Sequence, residues 1–502
     1  MVCALFLVKG LQASRSSHKT LLEVASVILC LSLIFVELIA LVTTLVNPSY
    51  ATDIKSVSYK NIPLLVKVSL SFFNLVYVPD LTAGLVFVLM VSAAMLVLLN
   101  RLFGVIPRAA YPHLKVDPAY AWASLVGLAI MSGIASEYPY HLGSSPIGVD
   151  MSWYLLSLGT LEATGKFGVL AGEPRAVFLI LCYGVHLLTG LSNADSIMAG
   201  AAALSVLVIV GSFFFVREAS QRDDLALLSA LMAVLSPQLL VELFAGIFDD
   251  WLAFAELLFF CCFLLRSVRG RKKFDVLASC LILVLLMVTH LWTWVVVMVV
   301  LALYIMFSLG LPSANEKPRP STMGLRIFVV GVIVAGGAML LTPYTALRTA
   351  VQFGFGWALA NISSPVFLVQ NLQITLSSYV QGFFSNWPLV VLSILGLVAA
   401  SFHLDEGTSE LLSAWVLGPT LLASFFGPAV QWRLIFLIPF PILGAFGLPE
   451  IISYVIPSSK DGFQSFDGAM LFYLTKFSCL TAILLILVDS FVISLIRIAA
   501  AF

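Results

Sequence analysis

RAVFLILCYGVHLLTGLSN, residues 175–193, decides how this chain is folded, because it is almost a membrane span and everything after it changes sides if it crosses. Of 502 residues 61% are hydrophobic and 10% charged, with a mean hydropathy of +1.07, so lipid tails rather than water solvate most of the chain. Apolar runs of spanning length lie near 21–46, 82–103, 119–136, 195–216, 225–246, 251–267, 274–289, 292–310, 326–343, 388–403, 410–427, 434–450 and 471–492. If 175–193 stays on one side and the N-terminus is cytoplasmic, the 26 Lys and Arg divide 18 inside to 8 outside. RSVRGRKK (266–273) and EKPRPSTMGLR (316–326) are then both inside. If it crosses, the division becomes 9 inside to 17 outside. The charge bias therefore predicts that 175–193 lies along the outer surface as a juxtamembrane or re-entrant helix. The expected fold is an all-α polytopic membrane bundle of about 13 transmembrane helices, with the N-terminus cytoplasmic and the C-terminus outside.

In that topology the long loops 137–194 and 344–387 and the shorter loop 47–81 face outward, and the cytoplasmic loops are short and basic. No cytoplasmic segment is long enough for a nucleotide-binding domain, and neither GxxxxGK[ST] nor GxGxxG occurs, so no nucleotide cofactor is expected. Basic and acidic residues balance at 26 each without a Lys/Arg-rich tract, which gives no nucleic-acid signature. The cysteines at 3, 30, 182, 261, 262, 280 and 479 lack CxxC or His/Cys metal spacing and read as packing residues. The first apolar run has no small-residue cleavage site behind it and is expected to be a retained span. Three regions follow: a two-span extension with a cytoplasmic loop (1–118), a transmembrane core (119–450), and a final loop and span (451–502).

The charged residues that remain gather at the predicted outer face. FAGIFDDWLAFAEL (244–257) places Asp249 and Asp250 between two apolar runs. Asp150 lies in SSPIGVDMSWYLLSLG (144–159), Glu137 and His141 directly follow the span 119–136, His290 sits between the spans 274–289 and 292–310, and Arg433 opens the span 434–450. Each has a plain structural reading. Asp249 and Asp250 suit a tight turn, Asp150 a helix cap, His290 a satisfied core position and Arg433 an interfacial snorkel. Glu242 and Glu256 fall inside spans, about two helical turns from the Asp pair, where they are protonated or support the same site.

Taken together, Pro146, Gly148, Asp150 and Tyr154 (P-x-G-x-D-x-x-x-Y), the GIFDDWLAF stretch and the late Arg433 resemble the C-type (GT-C) integral membrane glycosyltransferases. That superfamily includes protein mannosyltransferases, aminoarabinose transferases and oligosaccharyltransferases. GIFDDWLAF is most similar to the acidic region of oligosaccharyltransferase catalytic subunits, whereas PIGVDMSWY is closer to the first-loop acid of the mannosyl and arabinosyl transferases. The likeness covers roughly 119–450. With no WWDYG-like motif and no large C-terminal soluble domain, the expectation is against oligosaccharide transfer to asparagine, and the sequon at Asn361 reads as incidental.

The resemblance implies a sugar moved from a polyprenyl-phosphate donor, held in the membrane lipid, to an acceptor at the outer face. It makes Asp150 the base that takes the acceptor proton. Arg433 binds the departing phosphate, and His290, Glu137, His141 and Tyr154 contact phosphate, sugar or acceptor. Asp249 and Asp250 are candidate ligands for Mg²⁺ or Mn²⁺, with Asp150 a third. Loop 344–387, with Tyr344, Arg348, Gln370 and Trp387, is expected to shape acceptor binding or to cover the site. Two other classes stay open at this point: a non-enzymatic lipid or solute transporter, and an inactive scaffold that keeps the fold. The transporter reading predicts ionisable groups recurring near the bilayer midplane, where this sequence has few.

Overall fold

The computed structural model describes residues 92–94, 116–142, 146–165, 175–270, 273–310, 321–341, 386–423, 428–455 and 466–501. The expected span 21–46 lies outside them, as do most of 82–103, Tyr344, Arg348, Asn361 and Gln370. Among the described residues every regular element is an α-helix. In chain order these are α1 (Pro118–Leu142), α2 (Met151–Thr164), α3 (Ala176–Thr189), α4 (Asn193–Ser220), α5 (Asp223–Val234), α6 (Pro237–Ala245), α7 (Phe248–Gly270) and α8 (Lys273–Thr289). They continue with α9 (Leu291–Gly310), α10 (Ser321–Leu341), α11 (Trp387–His403), α12 (Glu406–Ala423), α13 (Pro428–Phe436), α14 (Phe440–Val455) and α15 (Phe466–Ala501). Among the described residues six segments are long and apolar enough to cross a membrane: Pro118–His141, Asn193–Ser220, Asp223–Ala245, Phe248–Gly270, Leu291–Leu309 and Phe477–Ala500. The chain is an integral membrane protein.

The segment that decided the topology forms α3, whose 14 residues extend about 21 Å at 1.5 Å per residue, short of a hydrocarbon core of roughly 30 Å. Gly190 ends it in the left-handed region, with φ 71°. Lipid-facing sides are legible as apolar residues left exposed at helical spacing. On α8 these are Phe274, Leu277, Leu281, Leu285 and Val288, while Asp275, Ser279, Leu283, Leu286 and Thr289 turn inward.

Two expected spans are broken, and each break has a sequence cause. Residues 225–246 divide into α5 and α6 at Ser236-Pro237: the serine caps α6 by accepting from the Leu239 N–H, and the proline occupies its first turn. Residues 434–450 do not form one helix opened by Arg433. The arginine lies in the last turn of α13, and the chain turns at 437–439, before and at Pro439, to enter α14. The carbonyls freed by that turn are satisfied from other helices. Gln238 of α6 donates to Phe436 O and Ile438 O (3.3 and 2.6 Å), and the Trp415 indole of α12 donates to Leu437 O (2.8 Å). Buried polar side chains thus fix where α13, and with it Arg433, is held. Beyond the turn, α11 and α14 pack backbone to backbone: a Cβ on Gly396 or Gly447 would land on the facing carbonyl of Leu443 or Leu392.

Candidate active site

The site is built where α6 ends and α7 begins. The last carbonyls of a helix have no partner within it. Here those of Phe244 and Ala245 accept from the backbone N–H groups of Val149 and Asp150, at 3.0 and 3.1 Å. Such an approach needs glycine on both sides. Gly148 (φ 120°) and Gly246 (φ 66°) lie so close that a Cβ on the first would come within 2.8 Å of the Cα of the second. This contact anchors Asp150 beside the first turn of α7, although the two are about a hundred residues apart in the chain.

Asp150 occupies the N-cap position of α2, but its side chain makes no capping bond. Its Oδ2 instead accepts from Arg175 Nη2 at 2.6 Å. Arg175 stacks against the rings of Trp153 and Tyr154, 4.8 and 5.2 Å from their centroids, and its Nε lies 3.5 Å from Asp249 Oδ1. Asp249 and Asp250 are not in a turn: they are in the first turn of α7, each 2% exposed, where the helix dipole favours negative charge. Tyr154 is fully buried and its hydroxyl donates to Asp249 Oδ1 at 2.8 Å. Burial, with the Asp249 carboxylate beside it, holds that phenol well above its usual range, so it acts as a neutral donor.

His290, between α8 and α9, is buried with Nε2 at 2.6 Å from Asp250 Oδ1 and 3.8 Å from Asp249 Oδ2. Its Nδ1 is 2.8 Å from Thr293 Oγ1. Arg433 closes the constellation, with Nε 3.5 Å from Asp250 Oδ2 and Nη1 3.4 Å from His290 Nε2. Acids and bases therefore alternate across five separate segments: Asp150, Arg175, Asp249, His290, Asp250, Arg433. Beside them opens a cavity of about 310 Å³ lined by Asp150, Glu242, Asp250 and Arg433 together with apolar residues of α6 and Phe436.

Asp249, Asp250 and His290 present ligand atoms that all lie within 4.8 Å of one another. Both Asp250 oxygens are buried without a well-aligned hydrogen bond, a state that a cation would relieve. Two carboxylates and one imidazole suit Mn²⁺ and, with water completing the shell, Mg²⁺. The residues present fit a divalent ion. The grouping differs from the expectation in one respect: His290, not Asp150, stands beside the Asp pair, and Asp150 is held by Arg175.

A family model described as oligosaccharyl transferase STT3, N-terminal, matches residues 166–434. The chain belongs to the STT3 oligosaccharyl transferase family. Its resemblance to the C-type membrane glycosyltransferases holds accordingly, and the matched region falls inside 119–450. Among solved structures the chain is similar to the oligosaccharyltransferase of Archaeoglobus fulgidus, with 11% identity, a TM-score of 0.49 and coverage of 76% of this chain and 56% of that one. It is also similar to ArnT from Cupriavidus metallidurans bound to undecaprenyl phosphate, with 12% identity, a TM-score of 0.47 and coverage of 76% and 77%. The chain thus spans little more than half the length of the archaeal enzyme. Comparison with curated proteins gives no match.

Of the expected site residues in this STT3-family chain, Asp150, Asp249, Asp250, His290, Arg433 and Tyr154 come together, with Tyr154 turned to Asp249 rather than to the cavity. Glu137 and His141 do not join them. They face each other on α1 at 3.7 Å, next to Tyr140, whose hydroxyl donates to Asp195 of α4 at 2.8 Å. Arg175 was not singled out as a site residue, although it opens the very segment that fixes the topology. A basic residue on the side where Lys and Arg are scarce was the available signal.

Proposed function

We propose that this chain transfers a sugar from a polyprenyl-phosphate donor in the membrane to an acceptor at the outer face, with 119–450 as the catalytic unit. The observation that carries the reading is the cavity walled by Asp150, Asp250 and Arg433: a carboxylate base, a candidate metal ligand and a phosphate-binding cation face one space. The topology inferred from the charge bias sets that end of the bundle at the outer face, where a lipid-borne phosphate meets water.

In the reaction the acceptor attacks the anomeric carbon, its proton passes to Asp150, and the bond from that carbon to the phosphate oxygen breaks with the electron pair leaving on the phosphate. Arg175 orients Asp150 through Oδ2. Arg433 pairs with the departing phosphate through its planar guanidinium. Asp249, Asp250 and His290 would hold a divalent ion, which supplies positive charge to the phosphate oxygens when bound. Tyr154 fixes Asp249 for that task.

The test is sugar transfer or release by purified protein in lipid, on a panel of polyprenyl-phosphate sugars, with and without Mn²⁺. Turnover by the wild type that Asp150→Asn abolishes supports the assignment. Turnover kept in Asp150→Asn removes Asp150 as base, and a wild type that turns over no donor while binding none removes the transferase reading.

A further inference from the structure

One wall residue of the cavity has no place in this chemistry. Glu242, on α6, is 2% exposed and lines the space together with Asp150, Asp250 and Arg433. Its Oε2 is buried without a hydrogen-bond partner. Burying a carboxyl oxygen without a hydrogen bond is destabilising. One turn earlier on the same helix, Gln238 already ties α6 to the turn that carries α13. Gly246, through its backbone N–H, already ends the helix on Glu242 O at 2.7 Å. Glu256 of α7 is buried too, with Oε1 accepting from Thr289 at 2.9 Å and Oε2 likewise unpaired, but it is not among the residues lining this cavity. What sets Glu242 apart is that its carboxyl lies at the wall shared with Asp250 and Arg433. The Glu242 side chain is therefore a polar group kept for a ligand.

The identity of its neighbours narrows what that ligand offers. A phosphate presents acceptor oxygens, which the guanidinium donors of Arg433 match and a carboxyl group, with at most one donor, does not, so Glu242 is not the phosphate contact. A sugar presents hydroxyl donors, and a carboxyl group is the side chain with most acceptor positions for them. Because Glu242 and Arg433 face one small cavity, whatever is covalently attached to a phosphate held by Arg433 is brought to Glu242. We propose that Glu242 is a specificity residue whose carboxyl accepts hydrogen bonds from hydroxyl groups of the donor sugar, an inference that rests on the lipid-linked donor reading above.

The experiment measures binding of two probes to the full-length protein in lipid nanodiscs: bare polyprenyl phosphate, and the same lipid carrying a hexose, taken as the tightest binder of a hexose panel. For Glu242→Ala the sugar-bearing lipid should weaken about tenfold, as expected for one or two lost hydrogen bonds. The bare lipid phosphate should bind as before or more tightly. Glu242→Gln, which keeps the size of the side chain, should fall between and unfold at the wild-type temperature or above it. Equal weakening of both probes, or a lower unfolding temperature in Glu242→Gln, makes the residue structural and overturns the proposal. So does a wild type that gains no affinity from any sugar, or a Glu242→Ala variant with normal donor binding and a raised KM for the acceptor. Arg433→Ala separates the two ideas: it should weaken both probes, and unchanged binding of bare lipid phosphate there refutes the donor-site reading itself, whatever Glu242 does.

Discussion

The two ends of α7 carry charge for different reasons. At its C-terminal end Arg269 binds the Glu218 backbone carbonyl and carboxylate, Ala219 O at 3.0 Å, the Asp405 carboxylate and Thr408 Oγ1 at 3.0 Å. These contacts finish the last turn of α4 and tie it to the start of α12, where Asp405 in turn accepts from Thr408 N–H at 3.0 Å. At its N-terminal end the charged groups leave work undone: Oε2 of Glu242 and Nη1 of Arg175 are buried without a hydrogen-bond partner, and both oxygens of Asp250 are buried with only the ion-pair contacts of His290 and Arg433 and no well-aligned hydrogen bond. One end answers orphan backbone groups with a side chain. The other keeps orphan side chains beside a cavity. Substitutions should therefore cost stability at the first end and activity at the second.

Asp150→Asn is the variant expected to show the largest effect. Loss of a general base typically removes about 10² to 10⁴ in rate, and because the amide keeps size and an acceptor for Arg175, the unfolding temperature should hardly move. Steady-state transfer rates and thermal unfolding of the same preparation check both halves. A variant that unfolds early and keeps its rate would place Asp150 with the structural charges of the opposite end. Arg269→Ala is the converse. Removing charge-assisted bonds of this kind costs about 1.5–3 kcal/mol each before screening, less for a side chain 28% exposed. Reduced thermal stability with unchanged activity per folded molecule is the expected outcome, and lost activity in a stable protein would erase the contrast between the ends.

The contrast also explains which parts were legible in the sequence. Helices follow from apolar run lengths, which are one-dimensional quantities, whereas 175–193 has nearly the length of a span and only the Lys/Arg bias marked it as a segment that stays on one side. Residue types at the site were equally readable, because acids and a histidine are conspicuous in a chain this apolar. What sequence alone could not supply was pairing. Nothing in PIGVD tells that Gly148 meets Gly246, a contact that depends on two positive φ values and on the unpaired carbonyls at the end of α6. Without that contact Asp150 reads as a cap or a metal ligand rather than as the partner of Arg175. The break at Pro439 was hidden for a related reason: it is tolerated only because Gln238 and Trp415, far away in the chain, satisfy the carbonyls it exposes.

Tyr154→Phe sharpens the comparison by removing one supporting bond at the site while leaving the ring packed against Phe178 and Phe248. Loss of a group that orients a ligand typically weakens metal affinity about 10- to 100-fold. Activity should therefore recover only at correspondingly higher Mn²⁺, with little change at saturation. An unchanged Mn²⁺ titration would show that Asp249 needs no help from Tyr154, or holds no ion.

Glu137→Gln should do least, and that is its value. Glu137 lies toward the same end of the bundle as the cavity, and by sequence it belonged with the acids there. In the structure its neighbour is His141, at 3.7 Å and with 72% of its side chain exposed, a pair that water and salt screen. Stability should change by no more than about 0.5 kcal/mol, as for surface substitutions generally, and donor binding and turnover should match the wild type. If turnover falls with donor binding intact, the acceptor reaches across from the cavity to α1. The active surface would then extend beyond the alternating charges around Asp249 and Asp250, and position at this end of the bundle, rather than an unsatisfied buried group, would be the mark of a working residue.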